Sequence, residues 1–358
     1  MSDDRVGDPE RDGDEPPADG DRDRDSREPS LLGRLVSPVW NAAEHRPRAP
    51  VRLLTAAALA VVALVVAGSG AAVAGLSAPL STVLPMLAVA GATLLSARYV
   101  DRRRLSDLGL RREPGWIADL GAGLALGVLL QALIAGVGVA AGWFRVVDAF
   151  VGSVAGGATV LLVFLVVGVY EELFARGLLL VNVAEGLRFA GDRVAVGVAL
   201  AASSATFGLL HAGNPGASTA STVGITLAGL FLGVGFALTG RLSFPVGVHV
   251  SWNAAQGLVF GFPVSGLGVE AAVVDLEPTG PTLVTGGSFG PEAGLLGMGA
   301  VLVGVAATAW WVRVRDGLPE GLIDSRIAVP DLRGKSESEN GDEHGGSRST
   351  TPATTNED

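Results

Sequence analysis

Eight predominantly apolar runs divide this chain, each long enough for a helix of about 20 residues across a hydrocarbon layer. They lie at approximately 52–75, 79–98, 116–140, 152–182, 194–213, 219–239, 243–262 and 292–312. No other feature constrains the fold as strongly. Lipid offers the backbone no hydrogen-bond partner, so each run must satisfy its own N–H and C=O groups, and helices do this. Gly and Ala are abundant in the runs, which suits close helix approach in a bilayer. The expectation is an all-α fold: a polytopic membrane bundle of about eight helices over 52–315, multi-pass in the cell membrane.

Charge is confined to the ends and to short loops between the runs. Residues 1–30 hold 12 Asp/Glu and 5 Arg with almost no apolar bulk. Such a segment cannot bury enough surface to offset its ordering entropy, so it reads as a disordered acidic tail, as does 316–358. Residues 31–51 are juxtamembrane. An acidic start is not that of a signal peptide. The absence of cysteine excludes a thiol nucleophile, a disulfide framework and a thiolate metal site.

Arginine sets the expected orientation. Arg34, Arg46, Arg48 and Arg52 precede the first run, and Arg98, Arg102, Arg103, Arg104, Arg111 and Arg112 follow the second. Arg188 and Arg193 follow the fourth, Arg241 the sixth, Arg313 and Arg315 the eighth. The other side has only Arg145, and its longest loop carries Glu270, Asp275 and Glu277. The positive-inside rule then puts both termini in the cytoplasm.

A few ionisable residues interrupt the apolar runs: Glu171, Glu172, Arg176, His211 and His249, with Asn253 beside them. A charge near the bilayer centre costs roughly 2.5–3.5 kcal/mol, so such residues face a bundle interior or a wet cavity and are functional-site candidates. Glu172 and Arg176 are four apart, share a helix face and can pair; that pair reads equally as packing glue. Glu171 is turned about 100° from Glu172 and is less well placed for the arginine. Burial without a partner makes a carboxylate more basic, as a general base acting on water requires. His211 ends FGLLH, one turn after Phe207. His249 and Asn253, in HVSWN, also share a face and offer two donors to an oxyanion. The same histidines with Glu171 could instead hold zinc, although no HExxH is present. Gln131, Asn182 and Gln256 read as packing or hydrogen-bonding residues.

EELFAR (171–176), FGLLH (207–211) and HVSWN (249–253) resemble the EExxxR, FxxxH and HxxxN/D motifs of the CPBP intramembrane proteases, the CAAX-protease and bacteriocin-processing (ABI) family that includes lysostaphin-resistance-like proteins. RRRLSDLGLRR (102–112) is similar to the lead-in seen in such proteins, and the resembling core spans approximately 116–262. The resemblance implies peptide-bond hydrolysis within the membrane. It makes Glu171 and His211 the activators of water and His249 and Asn253 the oxyanion site, with Glu172, Arg176 and Phe207 in support. It implies a glutamate-type endopeptidase needing no cofactor, although the family was long described as putative metalloproteases; zinc on Glu171, His211 and His249 is the alternative. The expected partners are the bilayer and a membrane-associated, possibly prenylated, peptide or protein, and no nucleic acid. A rhomboid-type GxSG and a presenilin-type GxGD are both missing.

Two other functions fit the same runs: a non-catalytic immunity or scaffold protein, and a transporter using the carboxylates as a proton or ion relay. One geometric demand accompanies the protease reading. His211 lies near the outer end of the fifth run, whereas His249 is about six residues inside the seventh. They meet only if the first part of the fifth helix projects into the cytoplasm, leaving 201–213 at mid-membrane and Asn214-Pro215-Gly216 breaking the helix beside a cavity.

Overall fold

The structure is a computed structural model that describes residues 39–317 and Ile327. The acidic tail expected at 1–30 lies outside the described residues. So does the C-terminal one, apart from Asp316, Gly317 and Ile327.

The architecture is a polytopic helical membrane bundle. Among the described residues, seven helices are long and apolar enough to cross a membrane: α1 (Ala49–Val73), α2 (Ala78–Val100), α3 (Trp116–Ala140), α4 (Val154–Gly186), α5 (Asp192–Leu210), α6 (Thr219–Thr239) and α8 (Leu295–Asp316). Seven of the eight expected runs meet that measure of length and hydropathy. The run at 243–262 forms α7, a helix over Ser243–Ala254 extended by a π turn at Ala255–Val259. Gly261, at φ +68°, takes the chain out of the helix there. Helix α7 is buried on almost every face, so it is a core element rather than a lipid-facing one.

Small residues set the position of α7. A Cβ on Gly127 of α3 would stand 2.1 Å from Ser251 Oγ and 2.6 Å from the Val248 carbonyl. Only glycine permits that approach, the small-residue packing that lipid favours. Around the pair, Leu130, Ile134, Phe231, Phe244, Trp252 and Val301 form the main apolar core. A second core joins α1, α2, α4 and α6 through Ala56, Ala97, Leu178, Leu180 and Phe236.

The bundle is not wholly helical. β1 (Trp40–Asn41) pairs with β2 (Arg46–Pro47), and β3 (Phe144–Val151) pairs antiparallel with β4 (Ala272–Pro278), from Phe144 opposite Pro278 to Val151 opposite Ala272. The second ladder adds an element that an all-α expectation lacks. It follows α3 and α7, and Leu276 N donates to the Phe260 carbonyl at 3.1 Å, tying the ladder to the end of α7.

At the other end, α4 reaches past the start of α7 to the level at which α1 begins. Gly177 abuts Leu108, and the adjacent Gly109 abuts Leu242 at the start of α7, whereas Gly186 abuts Ala49 at the start of α1. The nine residues from Gly177 to Gly186 carry the α4–α5 hairpin about 13 Å beyond the start of α7 at 1.5 Å per residue. That projection holds a buried ionic knot. Arg46, Arg52 and Arg103 converge on Glu185. Asn182 donates to Asp101 Oδ2 at 2.6 Å and accepts from Arg52 Nε at 2.9 Å. Three arginines counted above as topological charges are thus paired inside the protein. Burial pushes the Arg103 guanidinium down to about 9.

Candidate active site

Helix α4 carries the acidic pair to the middle of its length. Ser153 caps its start, its Oγ accepting from Gly156 N at 3.0 Å. One turn before Glu172, Gly168 lets α7 close in, since a Cβ there would stand 2.5 Å from Val250 Cγ2. From Leu173 to Leu180 the helix widens to π geometry, an irregularity frequent at functional sites. Arg176 lies inside that widened stretch.

Glu172 and Arg176 pair as their spacing predicts, with Nη1 donating to Oε1 at 2.6 Å and both side chains fully buried. Arg176 Nη2 also donates to the Gly229 carbonyl at 2.7 Å, and its guanidinium lies 4.6 Å from the Phe207 ring centroid. The carboxylate, the carbonyl and the aromatic face offset part of the guanidinium's desolvation, while Arg176 Nε and Glu172 Oε2 stay buried without a hydrogen-bond partner. Phe207 is the hub of the site. Its ring centroid is 4.8 Å from that of His211 and 5.9 Å from that of His249, the latter edge-on at 76°.

Both histidines are oriented through Nδ1. His211 caps the end of α5, and its Nδ1–H donates to the Phe207 carbonyl at 2.8 Å. His249 Nδ1 donates to Glu172 Oε1 at 2.9 Å. An acceptor on Nδ1 fixes the tautomer and leaves Nε2 to the site. Each Nε2 then lies 3.9 Å from one atom, Glu171 Oε2. That oxygen is buried and has no hydrogen-bond partner, while Oε1 accepts from Tyr170 OH at 3.0 Å. Glu171 and His211 keep 16% side-chain exposure each, so the carboxylate stands at the edge of accessible space. A gap of 3.9 Å between polar atoms is one that a single water bridges.

The structure thus brings together Glu171, Glu172, Arg176, Phe207, His211 and His249. His211 and His249, placed at different depths by the sequence runs, lie at one level, each packed against the Phe207 ring. Two assignments change in detail. Glu172 orients His249 as well as pairing with arginine, so Nε2 is the one ring nitrogen that His249 presents to the site. Asn253 is buried one turn beyond His249, but no hydrogen bond joins its amide to the other site residues. The sequence reading missed Tyr170, one of only two tyrosines in the chain. Its position immediately before the acidic pair, at the end of an apolar run, was the available signal.

No group of three or more His, Asp or Glu among the described residues has the arrangement to hold a metal ion.

One family model matches part of the chain. Residues 154–255 match the family model described as type II CAAX prenyl endopeptidase Rce1-like. This stretch is an Rce1-like domain. It contains all seven residues singled out from the sequence, from Glu171 to Asn253. No curated protein and no solved structure matches the chain. The Rce1-like domain and its apolar helices make the chain an integral, multi-pass membrane protein.

Proposed function

We propose that this protein is a glutamate-type intramembrane endopeptidase acting on a membrane-associated, C-a-a-X-like peptide or protein. The observation that carries the reading is the convergence of two histidine Nε2 atoms on the unpartnered Oε2 of Glu171. A water bound there has an acceptor for its proton in Glu171 and a positioning contact in His211. Glu171 takes the proton as the water oxygen attacks the scissile carbonyl carbon. The resulting oxyanion accepts from His249 Nε2–H and the Asn253 amide. With Nδ1–H retained by Glu172, that donation requires the imidazolium form of His249. Collapse of the tetrahedral intermediate breaks the C–N bond, and Glu171 returns its proton to the leaving amine. Tyr170 holds the carboxylate in register, and Arg176 holds Glu172 in place.

The family description supports prenylated C-a-a-X substrates as the first class to test. The arginine distribution supports a cytoplasmic opening, the side on which such a terminus would lie. The test is cleavage of quenched-fluorescence peptides, farnesylated and unmodified, by purified protein in liposomes. Cleavage lost in Glu171→Gln is expected. A host phenotype that survives Glu171→Gln, with no peptide cut by wild type, would instead make the protein a non-catalytic scaffold.

A further inference from the structure

Outside the Rce1-like domain lies a second buried carboxylate that the hydrolysis scheme does not use. Glu292 sits in the short turn before α8 and is almost wholly buried. Its Oε1 accepts from Ser265 N at 2.5 Å, and its Oε2 accepts from Gln256 Nε2 at 2.5 Å. Gln256 also donates to the Pro263 carbonyl at 2.6 Å and accepts from Gln131 Nε2 at 2.9 Å. Two glutamines read from sequence as packing residues are therefore the far side of this carboxylate's cage.

What Glu292 holds is a loop, and that loop leans on the turn after His211. Ser265 adopts a left-handed conformation at φ +50°, uncommon for a residue with a side chain. Its carbonyl accepts from Asn214 Nδ2 at 2.9 Å. The neighbouring Gly266 is packed so closely that a Cβ would stand 2.0 Å from the Pro215 carbonyl. Asn214 N in turn donates to the His211 carbonyl at 3.1 Å. Gly266 N donates to the Phe289 carbonyl at 2.7 Å, and Phe289 packs in one apolar cluster with Phe207 and Ala175. One route ends on the His211 backbone, and the other on Phe207, whose carbonyl and ring hold the His211 imidazole.

We propose that Glu292 is a positioning residue for the catalytic centre, anchoring residues 263–267 against the Asn214–Gly216 turn so that His211 Nε2 is held toward Glu171. The proposal rests on the protease reading for its consequence, but its geometry stands apart from it. A backbone amide and a glutamine could be satisfied by a neutral acceptor at no desolvation cost. A carboxylate takes two strong donor bonds at once and fixes both sides of the loop. Burial pushes Glu292 up to about 7 against those donors. The groups with which it interacts are Gln256, Ser265 and its own backbone, none of them charged. Keeping an ionisable group there costs stability, as positioning groups at functional sites commonly do.

The test uses the full chain in nanodiscs with Glu292→Gln, which keeps the volume but turns one acceptor into a donor. Expected are a fall in kcat of about tenfold with KM within about twofold, the size seen when a supporting partner of a site residue is lost. The thermal midpoint at pH 8 should not fall, because a desolvated charge has been removed. The ¹⁵N imidazole resonances of His211 should move while those of His249 stay. Asn214→Ala should lose activity non-additively with Glu292→Gln, because both act through one loop. Unchanged kcat with unmoved His211 resonances overturns the proposal. So does a loss of activity that tracks a loss of thermal midpoint, or a strictly additive pair. Glu171→Gln measured alongside separates the two readings. If wild type cuts nothing, the protease reading fails, and the His211 resonances still decide the role of Glu292.

Discussion

Replacing Arg176 by methionine removes one partner of a fully buried pair and leaves the Glu172 carboxylate with only His249 Nδ1 to face. Breaking a buried pair from one side typically costs about 3–5 kcal/mol, because the remaining charge keeps its desolvation penalty and loses its compensation. The Phe207 contact at 4.6 Å and the Gly229 carbonyl bond are lost with it. At about 2–4 °C per kcal/mol for a large domain, a loss of about 4 kcal/mol lowers the thermal midpoint by roughly 8–16 °C. Glu172→Gln strands the guanidinium instead and should cost about as much. The double variant, with neither charge, should lose only about 2 kcal/mol, since a buried pair replaced as a unit is often nearly neutral. Its glutamine oxygen still accepts from His249. The assay is helical circular dichroism against temperature for wild type, both single variants and the double variant in one detergent. Strict additivity of the two single losses, or single variants within 1 °C of wild type, would refute the reasoning.

Three further outcomes are expected. Tyr170→Phe removes the bond to Glu171 Oε1 and frees the carboxylate to rotate, so kcat should fall about tenfold with KM little changed in steady-state peptide cleavage. Gly127→Ala places a methyl group 2.1 Å from Ser251 Oγ and must push α7, and His249 with it, away from α3; cleavage and thermal midpoint should fall together. Glu292 binds its proton more tightly folded than unfolded, so its contribution is complete below pH 4.5 and is lost as pH rises through about 7. That loss is of order 3 kcal/mol at 1.36 kcal/mol per pKa unit. Thermal midpoints measured from pH 5 to pH 8 should therefore fall more in wild type than in Glu292→Gln.

The three motifs were legible because helical spacing is local. EELFAR puts Glu172 and Arg176 on one face, and the structure pairs them at 2.6 Å. That His211 and His249 must lie at one level was also readable, and the structure sets the Nε2 of each 3.9 Å from Glu171 Oε2. Contacts that depend on distant partners were not. Nothing in FRVVDAFV announces that it will pair with residues more than a hundred positions later. The short α7 was hidden because its apolar run continues past the glycine whose positive φ ends it. Arg46, Arg52 and Arg103 looked like topological charges because their partners, Asp101 and Glu185, come from separate segments. The Glu292 cage joins residues 131, 256, 265 and 292, and no periodicity links them.

The central claim is that Glu171 activates water without a metal ion. The measurement is single-turnover cleavage of a farnesylated quenched-fluorescence peptide by protein stripped with a strong zinc chelator, with metal content read on the same sample. The account predicts an undiminished rate in metal-free wild type and at least a thousandfold loss in Glu171→Gln, a barrier increase of about 4 kcal/mol. A rate that vanishes on stripping and returns with stoichiometric zinc would contradict it.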